Sequence, residues 1–123
     1  MGGTRPLYGH HYQVRLLVAV QDENAKSAHP IPGWYISRMG GFDPTLELDL
    51  GPGEALVMSA TDGQYELLHV RWDRTGGISS DHQVAYGEPA ATMLLRARTY
   101  LAKIEAENEA ISRLLDGGPD GVE

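Results

Sequence analysis

The segment from Glu54 to Trp72 constrains the fold more strongly than any other part of the sequence. Two apolar runs flank Asp62-Gly63, a pair that suits the central positions of a type I′ turn because both positions need a positive φ. Such a turn fixes the register of an antiparallel hairpin. The facing pairs that follow are Ala60 with Tyr65, Met58 with Leu67, Leu56 with His69, Val57 with Leu68, and Ala55 with Val70.

Both faces of this hairpin carry apolar side chains. Leu56 and Met58 lie on one face, whereas Val57 and Leu68 lie on the other. Strands that are apolar on both sides are typical of buried, central positions. We therefore expect the hairpin at the middle of a sheet that is covered on both faces.

Alternation of apolar and polar residues predicts further strands around the hairpin. The predicted strands span residues 11–21, 34–39, 45–50, 54–60, 64–73 and 82–86, and a helix spans residues 89–115. Residues 1–9 form a flexible N-terminal arm and residues 117–123 a flexible tail, which leaves a single domain over residues 10–116. The expected class is α+β: a five- or six-stranded antiparallel sheet of hairpins in a meander, followed by one long C-terminal helix packed on one face.

The composition narrows the range of functions. The chain of 123 residues has no cysteine, which excludes disulfides, thiolate zinc sites and cysteine nucleophiles within it. Its net charge of −7 opposes binding to a phosphate backbone, so we expect no nucleic-acid partner. The longest apolar run near the N-terminus, residues 16–20, is far shorter than the roughly 20 residues of a membrane span. We expect a soluble, cytoplasmic protein with no membrane partner.

The predicted C-terminal helix carries an apolar stripe that is interrupted by one polar residue. Its members, at alternating spacings of three and four, are Leu94, Ala97, Leu101, Ile104, Asn108, Ile111 and Leu115. A buried asparagine in such a stripe fixes register and strand number in helix dimers, although a helix packed on its own sheet shows the same spacings. We expect residues 94–104 to belong to the fold and residues 105–115 to association. The expected homodimer interface comprises Leu101, Ile104, Asn108, Ile111 and Leu115. A wholly intramolecular helix is the alternative.

Several reactive side chains gather in residues 68–82. A hydrolase triad could be assembled from His69, Asp73 and either Ser79 or Ser80. The G-x-S-x-G elbow that normally exposes a nucleophilic serine is absent, and a cross-strand Arg–Asp pair beside a partly buried histidine is the commoner explanation. No catalytic residue is assigned, and these side chains remain candidates.

The same segment also contains a local excess of positive charge. Arg71, Trp72 and Arg74 could hold a small anionic ligand such as a nucleotide by guanidinium hydrogen bonds and stacking, or the arginines could simply balance nearby carboxylates. The histidines lack metal-ligand spacing, and the glycine-rich "GPGEAL" at 51–56 leads into a strand where a phosphate loop would lead into a helix. We expect no metal and no cofactor.

These observations favour a small, acidic, non-enzymatic protein-interaction domain. It would be a homodimeric protein of the inhibitor, immunity or phage-accessory kind, acting by binding a protein partner. The first alternative is a binder of small anions, such as nucleotides, through Arg71, Arg74 and Trp72. The second is a hydrolase that uses His69, Asp73 and Ser79 or Ser80.

Overall fold

The computed structural model describes the backbone of residues 5–37 and 43–122 and the side chains of residues 12–37 and 43–116. Two helices flank five strands along the chain. In order, the elements are α1 (Arg5–Lys26), β1 (Tyr35–Ser37), β2 (Thr45–Gly51), β3 (Glu54–Ser59), β4 (Glu66–Trp72), β5 (Ile78–Tyr86) and α2 (Ala90–Val122). The protein is thus an α+β fold, as the sequence predicts.

The strands form one antiparallel meander in the order β1-β2-β3-β4-β5, with β3 at its centre. The predicted hairpin register is confirmed, since Leu56 pairs with His69 and Met58 pairs with Leu67. Asp62 and Gly63 in the turn have φ values of 61° and 77°, so both adopt the positive φ that a type I′ turn requires. This register decides which side chains lie on each face of the sheet.

Both helices pack on the same face of the sheet, and the core lies between them and the strands. The fully buried side chains of this core include Leu17 of α1, Leu56, Met58 and Leu67 of the hairpin, and Met93, Leu94 and Ala97 of α2. The expectation that the hairpin is covered on both faces is confirmed in part: Ala55 and Val70 on the second face are 1% and 4% exposed, but they do not belong to the cluster that packs against the helices. Val57 and Leu68 are half-buried and lie outside the core, because α1 and α2 share the opposite face.

The prediction of a strand over residues 11–21 is wrong, because this segment belongs to helix α1. A strand would place Leu16 and Leu17 on opposite faces, whereas a helix lets both contact the core together with Val20. The regular spacing of valines had suggested a strand, but Val18 lies on the exposed side of the helix. Burial of one helical face therefore outweighs the β propensity of these residues.

Two side chains form hydrogen bonds that join α1 to other parts of the domain. The Asn24 amide donates to the carbonyl oxygen of Ile31 at 2.8 Å, and its oxygen accepts from the Ile31 N–H at 2.9 Å. The Tyr65 hydroxyl donates to the carbonyl oxygen of Leu16 at 2.8 Å. The two Asn24 bonds hold Ile31 against the core, and the Tyr65 bond joins α1 to the start of β4.

Several predicted boundaries shift at the ends of the chain and of the strands. Strand β5 begins at Ile78, four residues before its predicted start at 82, and α2 continues to Val122, beyond its predicted end at 115. Helix α1 begins at Arg5, inside the predicted N-terminal arm, whose residues 1–4 lie outside the described part of the chain. The predicted end of the first short strand, at residues 38–39, also lies outside it. Among the described residues, no helix is long and apolar enough to cross a membrane.

The two faces of β4 allow a matched test of this architecture. Leu67→Ala removes a side chain that is 0% exposed, so we expect it to lower the free energy of unfolding by about 2–5 kcal/mol. Leu68→Ala removes the same atoms from the half-buried face, and we expect a loss of about 1 kcal/mol. Urea unfolding of the two variants measures the difference. Equal losses would contradict a core on one face only.

Candidate functional site

A buried histidine lies at the centre of a polar site between the sheet and α2. His69 of β4 is 6% exposed, and its Nε2 lies 2.6 Å from Oε2 of Glu54 on the neighbouring strand β3. Its Nδ1 lies 2.6 Å from the hydroxyl oxygen of Tyr100 on α2. Both ring nitrogens of His69 are therefore hydrogen-bonded, which satisfies a buried polar group.

Two further side chains complete what we call the His69 cluster, made up of Glu54, His69, Arg71, His82 and Tyr100. Arg71 places Nη2 3.2 Å from the same Glu54 oxygen. The His82 ring stacks on the Tyr100 ring with 6.0 Å between centroids. Hairpin register explains how the strand residues of the cluster group together. Glu54 pairs with Arg71, and two residues along the strands His69 pairs with both Leu56 and His82, so these side chains share one face of the sheet.

The hydrogen-bond roles follow from the chemistry of the partners. A carboxylate only accepts, so Nε2 of His69 donates to Glu54. In the neutral imidazole Nδ1 then accepts the proton of the Tyr100 hydroxyl. Burial raises the pKa of Tyr100, and the positive charge of Arg71 opposes this effect only partly. Tyr100 therefore remains a protonated donor at neutral pH.

The cluster forms one wall of a cavity of about 340 Å³ between the sheet and α2. The cavity is lined by Leu50, Glu54, His69, Arg71, Ser80, His82, Tyr100, Ile104, Glu107 and Asn108. Arg71 is more than half exposed at this site, so its remaining N–H groups can reach a ligand. The lining is mostly polar and mixes both signs of charge.

The structure separates the three residues of the predicted anion site. Arg71 lines the cavity, but Trp72, the next residue of β4, points to the opposite face of the sheet. Arg74 follows in the exposed turn between β4 and β5. Arg71 is therefore placed beside Ser80 and His82 in the cavity and apart from Trp72 and Arg74.

The structure also does not assemble His69, Asp73 and Ser79 into a hydrogen-bonded triad. The carboxylate of Asp73 accepts from the Thr75 hydroxyl at 2.7 Å and from the Gly77 N–H at 3.0 Å, and these bonds lower the pKa of Asp73. Ser79 donates to the carbonyl oxygen of Arg71 at 3.2 Å. Asp73 thus shapes its own turn, and the carboxylate that contacts His69 is Glu54.

The predicted interface residues divide along α2 according to their burial. Leu101 packs against the core and Ile104 is half-buried beside the cavity, but every residue from 105 to 116 is exposed. We call residues 105–116 the helix tip. Its exposed apolar side chains are Ile111 (53%), Leu114 (72%) and Leu115 (69%). Asn108 is exposed at the start of the tip, where it also lines the cavity.

Sequence reasoning missed Glu54, His82 and Tyr100. Extending the predicted hairpin register by one more residue pair joins Glu54 to Arg71, so this contact could have been predicted from the sequence. The contact between Tyr100 and His69 was not, because it depends on where α2 crosses the sheet. In the part of the chain that the structure describes, no group of three or more histidine, aspartate or glutamate side chains is arranged to hold a metal ion.

Comparisons with known proteins found no matching family model, no matching curated protein and no matching solved structure. Two features of the described structure are candidates for a functional role. One is the His69 cluster with its cavity, and the other is the exposed helix tip.

A tyrosine variant tests the central hydrogen bond of the cluster. Tyr100→Phe leaves Nδ1 of the buried His69 without its partner, so we expect a loss of about 1–3 kcal/mol in unfolding free energy. The control is Tyr86→Phe, where the side chain is exposed and the expected change is within about 0.5 kcal/mol. Thermal or urea unfolding measures both. Equal effects would show that the bond to His69 adds no stability.

Proposed function

We propose that this chain is a protein-interaction domain that associates with a second copy of itself through the helix tip. The observation behind the proposal is that α2 continues beyond the body of the domain with apolar side chains that none of its own described elements cover. Isolated helices of this length are marginal in water, so a partner that buries the stripe stabilises the tip. An inhibitor, immunity or phage-accessory role would act by binding a further, different protein partner.

The apolar stripe of the tip has the geometry of a helix-pairing surface. Ile104, Asn108, Ile111 and Leu115 follow at spacings of four, three and four, which places them on one side of the helix. Leu114 lies beside Leu115 and widens the stripe. Asn108 is the polar member, and pairing of two copies would bring the two Asn108 amides within reach of each other. Asn108→Leu should therefore change the number of associating helices.

Charge on the tip opposes association at low salt. Glu105 and Glu107 flank the stripe, whereas Arg113 lies on the outer side and pairs with Glu109 at 3.6 Å. Two such tips carry like charges along their seam. Because salt screens exposed charges beyond about 8 Å at physiological ionic strength, added salt should strengthen self-association.

Charged substitutions in the stripe test the proposed dimer. Ile111→Asp combined with Leu115→Asp places carboxylates in the seam between the two helices. We therefore expect this double variant to be a monomer at tens of micromolar, a concentration at which we expect the parent chain to be a dimer. The melting temperature of the monomer should change little, because neither side chain contacts the core. Light scattering coupled to size exclusion measures the mass across a dilution series.

The control carries the same added charge on the other side of the helix. Ala106→Asp combined with Ala110→Asp lies away from the stripe and should leave the mass unchanged. A parent chain that is monomeric at tens of micromolar, with or without added salt, would overturn the proposal. Equal loss of association in both double variants would assign it to net charge and not to the stripe.

The cavity supports a second candidate function, the binding of a small anion. The specific observation is that Arg71 lies beside Ser80 and His82 with most of its guanidinium donors free to reach a ligand. A phosphate or carboxylate could bind there through charge-assisted hydrogen bonds. Trp72 and Arg74, which the sequence grouped with Arg71, lie outside this lining.

Two arginine variants test this second function. Inorganic phosphate and a nucleoside triphosphate, each at about 100 times its Kd, should stabilise the parent chain by about 2.7 kcal/mol in thermal unfolding. Arg71→Gln should abolish this stabilisation, whereas Arg74→Gln, which removes the same charge from the exposed turn, should preserve it. Equal loss in both variants would assign the effect to net charge.

A further inference from the structure

The face of the sheet opposite the two helices carries a second surface, against which neither described helix packs. We call it the open face and define it by strand residues that share the direction of Val57 and Leu68. They are Tyr35, Ser37, Thr45, Glu47, Asp49, Ala55, Val57, Ser59, Glu66, Leu68, Val70, Trp72, Ile78, Asp81, Gln83 and Tyr86. Two of its apolar members, Ala55 and Val70, are buried at 1% and 4% exposed, and the other apolar members are partly or fully exposed; none belongs to the cluster under the helices.

The centre of the open face is apolar. Val57 and Leu68 pair across β3 and β4 and are both half-buried. Trp72 extends this stripe along β4, and Ile78, which pairs with it from β5, is 62% exposed. The stripe is two strands wide, about 10 Å, and about 15 Å long, which matches the width and three turns of an α-helix.

Carboxylates flank the stripe on both sides. Asp49 and Asp81 are exposed at the two ends of one cross-strand row, with Ala55 and Val70 between them. Glu47 and Glu66 add two more carboxylates, and none of the described strand residues of this face is lysine or arginine. The open face therefore combines an apolar centre with a rim of one sign of charge.

The rim is ordered by hydrogen bonds within the face. The Tyr35 hydroxyl donates to Asp49 at 2.9 Å and to Glu47 at 3.4 Å, and Gln83 donates to Glu66 at 2.7 Å. The bond to Asp49 raises the pKa of Tyr35 to about 12, with further contributions from burial and from the charge of Glu47. Neutral donors hold these carboxylates, so their negative charge is not balanced within the face.

The geometry points to a partner for the open face: an amphipathic helix whose apolar stripe is flanked on both sides by lysine or arginine. Apolar side chains of the helix would cover the stripe from Val57 to Ile78. Its basic side chains would pair with the carboxylates on both flanks, where complementary charge gives specificity and speeds encounter. Aromatic residues at the rim, such as Tyr35 and Tyr86, are typical of protein interfaces.

A second copy of this chain does not fit the open face. Two such faces in contact would bring like-charged rims together, which is unfavourable. The helix tip is itself acidic, with Glu105, Glu107, Glu109 and Asp116 against one arginine. The partner is therefore a different, basic segment, and the inference goes beyond the proposed self-association while sharing its premise that the domain acts by binding proteins.

A synthetic helical peptide tests the inference directly. The probe is LKKLLKLLKKLLKL, with LEELLELLEELLEL as its charge-reversed counterpart, and affinity is measured by calorimetry against the full chain. We expect the lysine peptide to bind, and added salt to weaken it. The glutamate peptide should not bind. No binding of the lysine peptide at tens of micromolar, or equal binding of both peptides, would overturn the inference.

Two matched charge-reversal variants test whether the lysine peptide binds at the open face. Asp49→Lys combined with Asp81→Lys should weaken the lysine peptide by at least about tenfold. Glu109→Lys combined with Asp116→Lys changes the net charge equally at the helix tip and should leave affinity within about twofold. If both double variants weakened peptide binding equally, the assignment of the binding site to the open face would be overturned, because net charge alone would then explain the binding.

A neutral change tests the apolar centre of the face. Ile78→Ser should weaken the lysine peptide by about threefold or more while the fold survives, since the side chain is exposed. Unchanged affinity would contradict docking on the stripe. Salt dependence distinguishes peptide binding at the open face from self-association through the helix tip, because added salt should weaken the first and strengthen the second. Either proposal can therefore fail alone.

Discussion

The register of the β3–β4 hairpin is the constraint on which the other features of this structure depend. A slip of β4 by one residue would turn its side chains to the other face of the sheet, moving Leu67 away from the helices and bringing Leu68 under them. The same slip would separate His69 from Glu54 and Tyr100. A two-residue turn with positive φ at both positions thus determines the core and the polar cluster together.

Placing both helices on one face leaves two surfaces with apolar side chains. One is the open face, which lies outside the cluster under the helices and exposes Ile78, and the other is the helix tip, which extends past the sheet. The His69 cluster lies between sheet and helix near the last buried turn of α2, where Ile104 and Asn108 still line the cavity. The arrangement of layers therefore explains why the site and the free surfaces occur where they do.

The sequence predicted the parts of the fold that short-range rules govern. Asp62-Gly63 set the hairpin register, and the apolar spacing of α2 placed the end of burial near Ile104. It failed for α1, where strand-like alternation and helical spacing coexist and only the position of the sheet decides which face is buried. Tyr100 was missed for a related reason, since its contact with His69 spans 31 residues and depends on the path of α2.

On the proposed docking, charge would explain how a partly exposed apolar stripe can exist on the open face without pairing copies of the chain. Large exposed apolar surfaces invite aggregation, and sheets commonly limit it with charged side chains. Here Asp49 and Asp81 stand at both ends of the row through Ala55 and Val70, so two open faces repel each other as they approach. The same carboxylates attract a basic partner. Rejection of the chain's own copies and selection of a different partner therefore come from the same residues.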